Sequence, residues 1–180
     1  YVLGKKKGTV VNNLSTTDLM DYVTQKYSAR LYRTRVGEAN VVSKMRASKA
    51  VIGGEGNGGI IYPRINCTRD ALVGAALIGK LIAEQDRPLS EIMSTYPKYY
   101  MIKRKLMVTK DKFEEKKETL VDAFRGKLDF TDGLKIVGRN YWLHIRPSGT
   151  EHVVRVIGES KDRTQVENCI AKVKKILYKG

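Results

Sequence analysis

Strand-like apolar runs and helical stripes alternate along the first half of this chain. Thr9-Val10-Val11 predicts a short buried strand. Ser15-Thr16-Thr17-Asp18 then offers N-cap chemistry to a helix with Leu19, Met20, Val23 and Tyr27 on one face. Leu31 to Val36 alternates as a strand and ends at Gly37. A short helix is predicted from about Ala39 to Met45, followed by a strand at Ala50-Val51-Ile52. A glycine loop leads to Ile60-Ile61-Tyr62, which Pro63 stops. Thr68 or Asp70 can cap the apolar helix Ala71 to Ala83, read as a core helix. Arg87-Pro88-Leu89-Ser90 opens another helix that ends near Tyr96-Pro97. The order β-α-β-α-β-β-α-α describes a compact α/β unit.

The pattern changes after Pro97. Lys98-Tyr99-Tyr100, the basic run Lys103-Arg104-Lys105 and Leu106-Met107-Val108 read as a linker and the opening strand of a second domain. A helix follows with Phe113, Lys117, Leu120, Val121 and Phe124 on one side, then the hairpin-type turn Asp132-Gly133. Strands are predicted at 134–137, 141–145 and 153–157. Val166, Cys169, Ile170, Val173, Ile176 and Leu177 form the stripe of a closing helix. The expected fold class is α/β with two domains. A mixed α/β domain covers 1–97, a linker or hinge 98–108, and an α+β domain with an antiparallel sheet and helices on one face 109–180.

With 42% apolar and 8% aromatic residues, the chain can build ordinary cores, and no stretch approaches the roughly 20 apolar residues of a membrane span. Tyr1 opens the chain and Val2-Leu3-Gly4 reads like the end of an element under way, so a longer parent is expected. Cys67 and Cys169 have no metal-like spacing; free buried or half-buried thiols and a cytoplasmic location are expected. Two histidines are too few for a usual zinc site. The net charge of +15 first suggests nucleic acid. Much of it is interleaved with acid, as in Lys110 to Glu118, which describes a solvated helix face. Lys5-Lys6-Lys7 and Lys103-Arg104-Lys105 have no such acids beside them, and a basic surface would equally concentrate a small anionic substrate.

Two loops carry candidate chemistry. Gly53-Gly54-Glu55-Gly56-Asn57-Gly58-Gly59 holds five glycines in seven residues and leaves Glu55 and Asn57 standing on bare backbone. A carboxylate accepts and an amide both donates and accepts, which suits adjacent sugar hydroxyls. The same loop fits a plain glycine-rich hairpin. It also satisfies G-x-G-x-x-G, but a strand rather than a helix is predicted to follow, so a dinucleotide site is not expected. The second loop is Arg146-Pro147-Ser148-Gly149-Thr150-Glu151. Arg146 offers a planar fork for phosphate, Ser148 and Thr150 add hydroxyls, and Gly149 lets backbone N–H groups face one anion. The alternative is a capped turn in which Arg146 pairs with Glu151.

The two loops, in this order, resemble the alpha-D-phosphohexomutase superfamily of phosphoglucomutases, phosphomannomutases and phosphoglucosamine mutases. Thr34-x-Val36-Gly37, Arg69-Asp70-Ala71 and the segment from Leu89-Ser90-Glu91 to Tyr96-Pro97 extend the likeness over nearly the whole chain. The resemblance implies the third and fourth domains of such an enzyme. Glu55, Asn57, Gly54 and Gly56 would then bind sugar hydroxyls, and Arg146, Ser148, Gly149 and Thr150 the phosphate that is not reacting. It implies partner domains one and two carrying a phosphoserine and a magnesium loop, a hexose phosphate substrate and a hexose 1,6-bisphosphate intermediate. Neither the serine loop nor the metal loop is in this chain, so the parent is expected to be an enzyme and the fragment inert. No nucleic-acid or membrane partner is implied.

Glu38 stands where some branches carry a substrate-touching histidine, and is read either as a sugar contact or as a cap of the next helix. His152 replaces a usual proline, and His144 is read as packing within a strand. Asp129 to Gly133 reads as a turn, not a metal site. The Gly-Glu-Gly-Asn-Gly-Gly and Val-Gly-Glu segments look like the phosphoglucosamine mutase-like branch.

Overall fold

The computed structural model describes residues 1–179 and divides into two units, the second beginning at Tyr99. The first unit holds a four-stranded sheet of β1 (Val10–Asn13), β2 (Leu31–Thr34), β3 (Ile52–Glu55) and β4 (Gly59–Ile61) in the order β2-β1-β3-β4. Its helices are α1 (Val2–Lys5), α2 (Leu19–Lys26), α3 (Glu38–Ser48), α4 (Ala71–Gln85) and α5 (Leu89–Ser94). β1 lies parallel to both β2 and β3, and β4 folds back antiparallel on β3. Val11, Val41, Met45, Ala50 and Ile61 pack as a small core between the sheet and α3. From β1 the chain crosses to β2 on one side. From β2 it returns past β1 to β3 on the other. This reversal lies between β1 and β3, and in open α/β sheets small molecules bind at the carboxyl ends of the strands beside such a reversal.

Local chemistry explains the boundaries. Thr17 Oγ1 accepts from Leu19 N at 3.1 Å at the start of α2. Of the two expected caps for α4, Asp70 serves: its Oδ1 accepts from the N–H groups of Leu72 and Val73, each at 3.0 Å. The expectation that this helix is a core helix is corrected. Only Gly74 is buried, seated against Ile60, and Leu72 is 82% exposed. The helix touches its sheet through a narrow stripe, so most of its apolar surface points elsewhere. Cys67 is likewise exposed rather than buried, since it lies in the turn before α4; Cys169 is half-buried, and both are free.

The second unit is a five-stranded antiparallel sheet in the order β5-β9-β8-β7-β6. Its strands are β5 (Tyr100–Leu106), β6 (Lys127–Asp129), β7 (Leu134–Val137), β8 (Tyr141–Pro147) and β9 (Val154–Ser160). Two helices, α6 (Lys110–Ala123) and α7 (Arg163–Tyr178), cover one face. Phe113 and Leu120 join Val166, Ile170, Val173 and Leu177 in a core with Leu134, Ile136, Leu143, Ile145, Val154 and Val156. Strand alternation then puts Trp142, His144 and Arg146 on the face away from the helices. Most of the stretch expected as linker is strand: β5 pairs with β9 from Tyr100↔Ser160 to Leu106↔Val154. Its Lys103-Arg104-Lys105 run masks the alternation, because an edge strand tolerates charge that an inner strand would not. The three-residue β6, short and polar, gave no periodic signal.

Candidate functional site

In the first unit, β3 ends on Glu55, and Gly56-Asn57-Gly58 turns the chain into β4. Two glycines are required by close approach. A Cβ on Gly54 would stand 2.3 Å from the Gly59 carbonyl oxygen, and one on Gly56 would stand 2.8 Å from that of Ser15. The loop therefore presses against the segment that follows β1. It feeds a strand and not a helix, so the loop itself opens no helix whose N-terminus would receive a pyrophosphate.

Glu55 is only 8% exposed, yet its carboxylate is well supplied with donors. Oε1 accepts from Asn13 Nδ2 and from the backbone N–H of Gly37, both at 2.9 Å. Oε2 lies 3.3 Å from Arg69 Nη1. Asn13 is itself fixed, its Oδ1 accepting from Ser15 N at 3.1 Å and Thr16 Oγ1 at 2.9 Å. Next to it, Asn12 Nδ2 donates to the Gly54 carbonyl at 3.0 Å. A carboxylate offers about four lone-pair positions. Three are engaged here, which leaves Oε2 a position for one further donor.

Glu38, the first residue of α3, does not cap its own helix. Its Oε1 accepts from the Thr68 hydroxyl and from Arg69 N, and its Oε2 accepts from Arg69 Nε at 2.8 Å. The Thr68 hydroxyl and then the two Arg69 donors hold this carboxyl at about 2, well below the usual range. Asn57 stands exposed at the loop tip. Thus Gly54, Glu55, Gly56 and Asn57 share one loop, and Arg69 connects Glu38 to it. Asn12, Asn13 and Arg69 went unassigned in the sequence reading. Two amides closing an apolar strand are the signal that would have drawn attention to the first pair.

In the second unit, β8 and β9 form a hairpin closed by Pro147↔Val154. Ser148 N donates to the Val153 carbonyl at 2.8 Å, and Thr150 N reaches Ser148 Oγ at 3.5 Å. Glu151 does not pair with Arg146: Lys105 Nζ at 2.7 Å and Arg155 Nη2 at 2.5 Å take its carboxylate. The Arg146 side chain is 19% exposed, and its Nε has Asp132 Oδ2 no nearer than 4.0 Å. Gly149 has negative φ and open space where a Cβ would go, so no steric demand explains this glycine. The Asp132-Gly133 turn packs against Arg146, with Gly133 at φ 75° and its hypothetical Cβ 2.7 Å from Arg146 Cβ. His144 Nε2 donates to the Asp132 carbonyl at 2.6 Å, and burial pushes its imidazole below the ordinary value. Asp129 accepts from Thr131 N at 2.8 Å as a turn former. Among the described residues no three His, Cys, Asp or Glu side chains converge as a metal site would require.

Family models match both units. Residues 1–99 fit "Phosphoglucomutase/phosphomannomutase, alpha/beta/alpha domain III", and residues 109–176 fit the C-terminal domain of the same family. This chain belongs to the phosphoglucomutase/phosphomannomutase family. A phosphoglucomutase/phosphomannomutase of Thermococcus kodakarensis is 34% identical over 86% of this chain and 34% of its own length. A phosphoglucosamine/phosphogalactosamine mutase of Sulfurisphaera tokodaii is 31% identical over 93% of this chain and 38% of its own. The chain thus spans a little over a third of these relatives. The fold is shared with a family protein of Burkholderia thailandensis, with a TM-score of 0.80 at 19% identity over 98% of this chain and 38% of that one. It is shared too with Aspergillus fumigatus N-acetylphosphoglucosamine mutase, solved with GlcNAc-6P and magnesium, with a TM-score of 0.67 at 16% identity over 98% of this chain and 40% of that one. The same fungal enzyme has been solved with glucose 1,6-bisphosphate. Among the described residues no helix is long and apolar enough to cross a membrane.

Proposed function

We propose that this chain is the substrate-reading part of a cytoplasmic phosphohexomutase that interconverts the 1- and 6-phosphates of a hexose, with glucosamine as the sugar and mannose or glucose as the family alternatives. The observation that carries the reading is Glu55: a buried carboxylate, held by two hydrogen bonds and a guanidinium, at the carboxyl end of a parallel strand beside the crossover. Such an acceptor suits a sugar hydroxyl, with Asn57, Gly54, Gly56 and Glu38 completing that side. In the second unit Arg146, Ser148, Gly149 and Thr150 hold the phosphate that does not react. Holding the remote phosphate fixes the pose, and phosphoryl transfer depends chiefly on pose and charge stabilisation.

In the full parent a phosphoserine gives its phosphoryl group to the free sugar hydroxyl, forming the hexose 1,6-bisphosphate, and the other phosphate returns to the serine. That serine and the magnesium ligands belong, in this reading, to the partner domains of the parent. The fungal complexes with magnesium and glucose 1,6-bisphosphate support this assignment. The chain alone then binds substrate without turnover. An NMR titration with glucosamine 6-phosphate, mannose 6-phosphate and a short DNA tests it. Amide shifts centred on 54–58 and 146–150 with the sugar phosphates are expected. Shifts confined to lysine-rich surfaces, and produced by DNA alone, would sink the proposal.

A further inference from the structure

Three separate segments meet at one side chain in the first unit. Arg69 donates from its backbone N to Glu38 Oε1 at 2.9 Å and from Nε to Glu38 Oε2 at 2.8 Å, while its Nη1 lies 3.3 Å from Glu55 Oε2. Its aliphatic stem lies across the first residue of β4: a Cβ on Gly59 would stand 2.2 Å from Arg69 Cδ. That contact accounts for the glycine at 59, which neither φ nor the hairpin turn demands. The turn before α4, the start of α3 and the end of β3 are thereby tied through one guanidinium.

We propose that Arg69 is the positioning residue of the sugar site, placed between Glu38 and Glu55 so that Glu55 presents one fixed acceptor position. The inference rests on the reading that this loop recognises a hexose phosphate. The charge arithmetic is simple. Two carboxylates facing a phosphorylated sugar without a cation would repel it and each other. With Arg69 in place the cluster carries one net negative charge, and the guanidinium fork fixes direction as well as charge. The facing titratable groups are Glu38 on α3 and Glu55 on β3. Asp70, next in sequence, is occupied by the first turn of α4, and both histidines of the chain lie in the second unit. Glu38 therefore acts on the site through Arg69, reconciling its place in the Val-Gly-Glu loop with a carboxylate already engaged by protein donors.

The test uses this chain as it is, with Arg69→Gln, Arg69→Lys and the double variant Glu38→Gln/Arg69→Gln. Side-chain carboxyl NMR reads the titration of Glu38, and amide shifts read the affinity for glucosamine 6-phosphate. R69Q is expected to raise the Glu38 midpoint and to weaken binding about tenfold. R69K should restore the titration more than the affinity, because it returns the charge without the fork. The double variant should regain about threefold over R69Q, since the unbalanced charge is gone. An unchanged Glu38 midpoint in R69Q would overturn the proposal. So would equal losses in R69Q and the double variant, which would mean that Arg69 touches the ligand directly. If the unaltered chain shows no shifts with any sugar phosphate, the functional reading fails, while the Glu38 titration still decides whether Arg69 governs that carboxylate. Arg69 is 42% exposed, so the fold should survive its replacement, and the amide spectrum verifies this.

Discussion

In the first unit the Glu55 carboxylate is enclosed by protein donors, whereas in the second the Arg146 guanidinium stands farther from its counter-charge. Glu55 has Asn13, Gly37 and Arg69 around it at 2.9 to 3.3 Å. Among the described residues Arg146 has one carboxylate, that of Asp132, at 4.0 Å, and the neighbouring Glu151 is drawn off by Lys105 and Arg155. On the proposed function the contrast follows from the chemistry of the two ligand groups. Uncharged hydroxyls are told apart by direction, so the acceptor gains from a rigid surround. A phosphate brings its own charge and several oxygens, so donors that remain open gain most when it binds.

Substitutions around Glu55 and at Arg146 should act on different properties. Gly54→Ala would drive a methyl group into the Gly59 carbonyl and should cost about 3 kcal/mol, read as a lower denaturation midpoint of the first unit. Next in size, Asn13→Ala leaves Glu55 short of a donor and strands the N–H of Ser15, for about 2 kcal/mol. Arg146→Ala should leave stability within about 0.5 kcal/mol yet weaken glucosamine 6-phosphate binding about thirtyfold. A stability loss matching that of Asn13→Ala would erase the distinction between the loops.

Acid should separate the units by pH window. Glu38 titrates at about 2 against an ordinary 4.5, so its stabilising contribution is complete above 4.5 and is lost as pH falls from there toward 2. His144 is pushed below 6.5 mainly by burial, so the unfolded chain takes the proton first and the second unit weakens as pH falls below 6.5. Amide exchange over about pH 7 to pH 3 should show the second unit loosening at the milder acidity. The smallest effect closes the series: Gly149→Ala meets open space and should change stability by less than about 0.5 kcal/mol.

The loops were legible in the sequence because their residues are local: glycines around Glu55, and an arginine with two hydroxyls at short spacing. The helical stripes from Phe113 and Val166 were legible for the same reason. What escaped depends on partners distant in the chain. Asn13 matters through Glu55, 42 residues away, and Arg69 through Glu38, 31 residues away. The burial of α4 was overestimated because apolar composition states what a helix can cover, not what lies beside it. β5 was misplaced because its charges belong to an outer position in a sheet order that pairs it with β9, a strand distant in the chain.

That outer position has its own consequence. Every open sheet offers two rows of unpaired N–H and C=O groups to passing chains, the first step toward fibres. Here one border, β6, is three residues long, and the other, β5, carries Lys103, Arg104 and Lys105 in succession. Two copies approaching along β5 would bring like charges face to face. Part of the +15 charge is therefore expected to act as protection in concentrated solution. A chain with those three positions made neutral should keep its fold and sugar phosphate affinity, yet gain thioflavin-positive aggregates on storage.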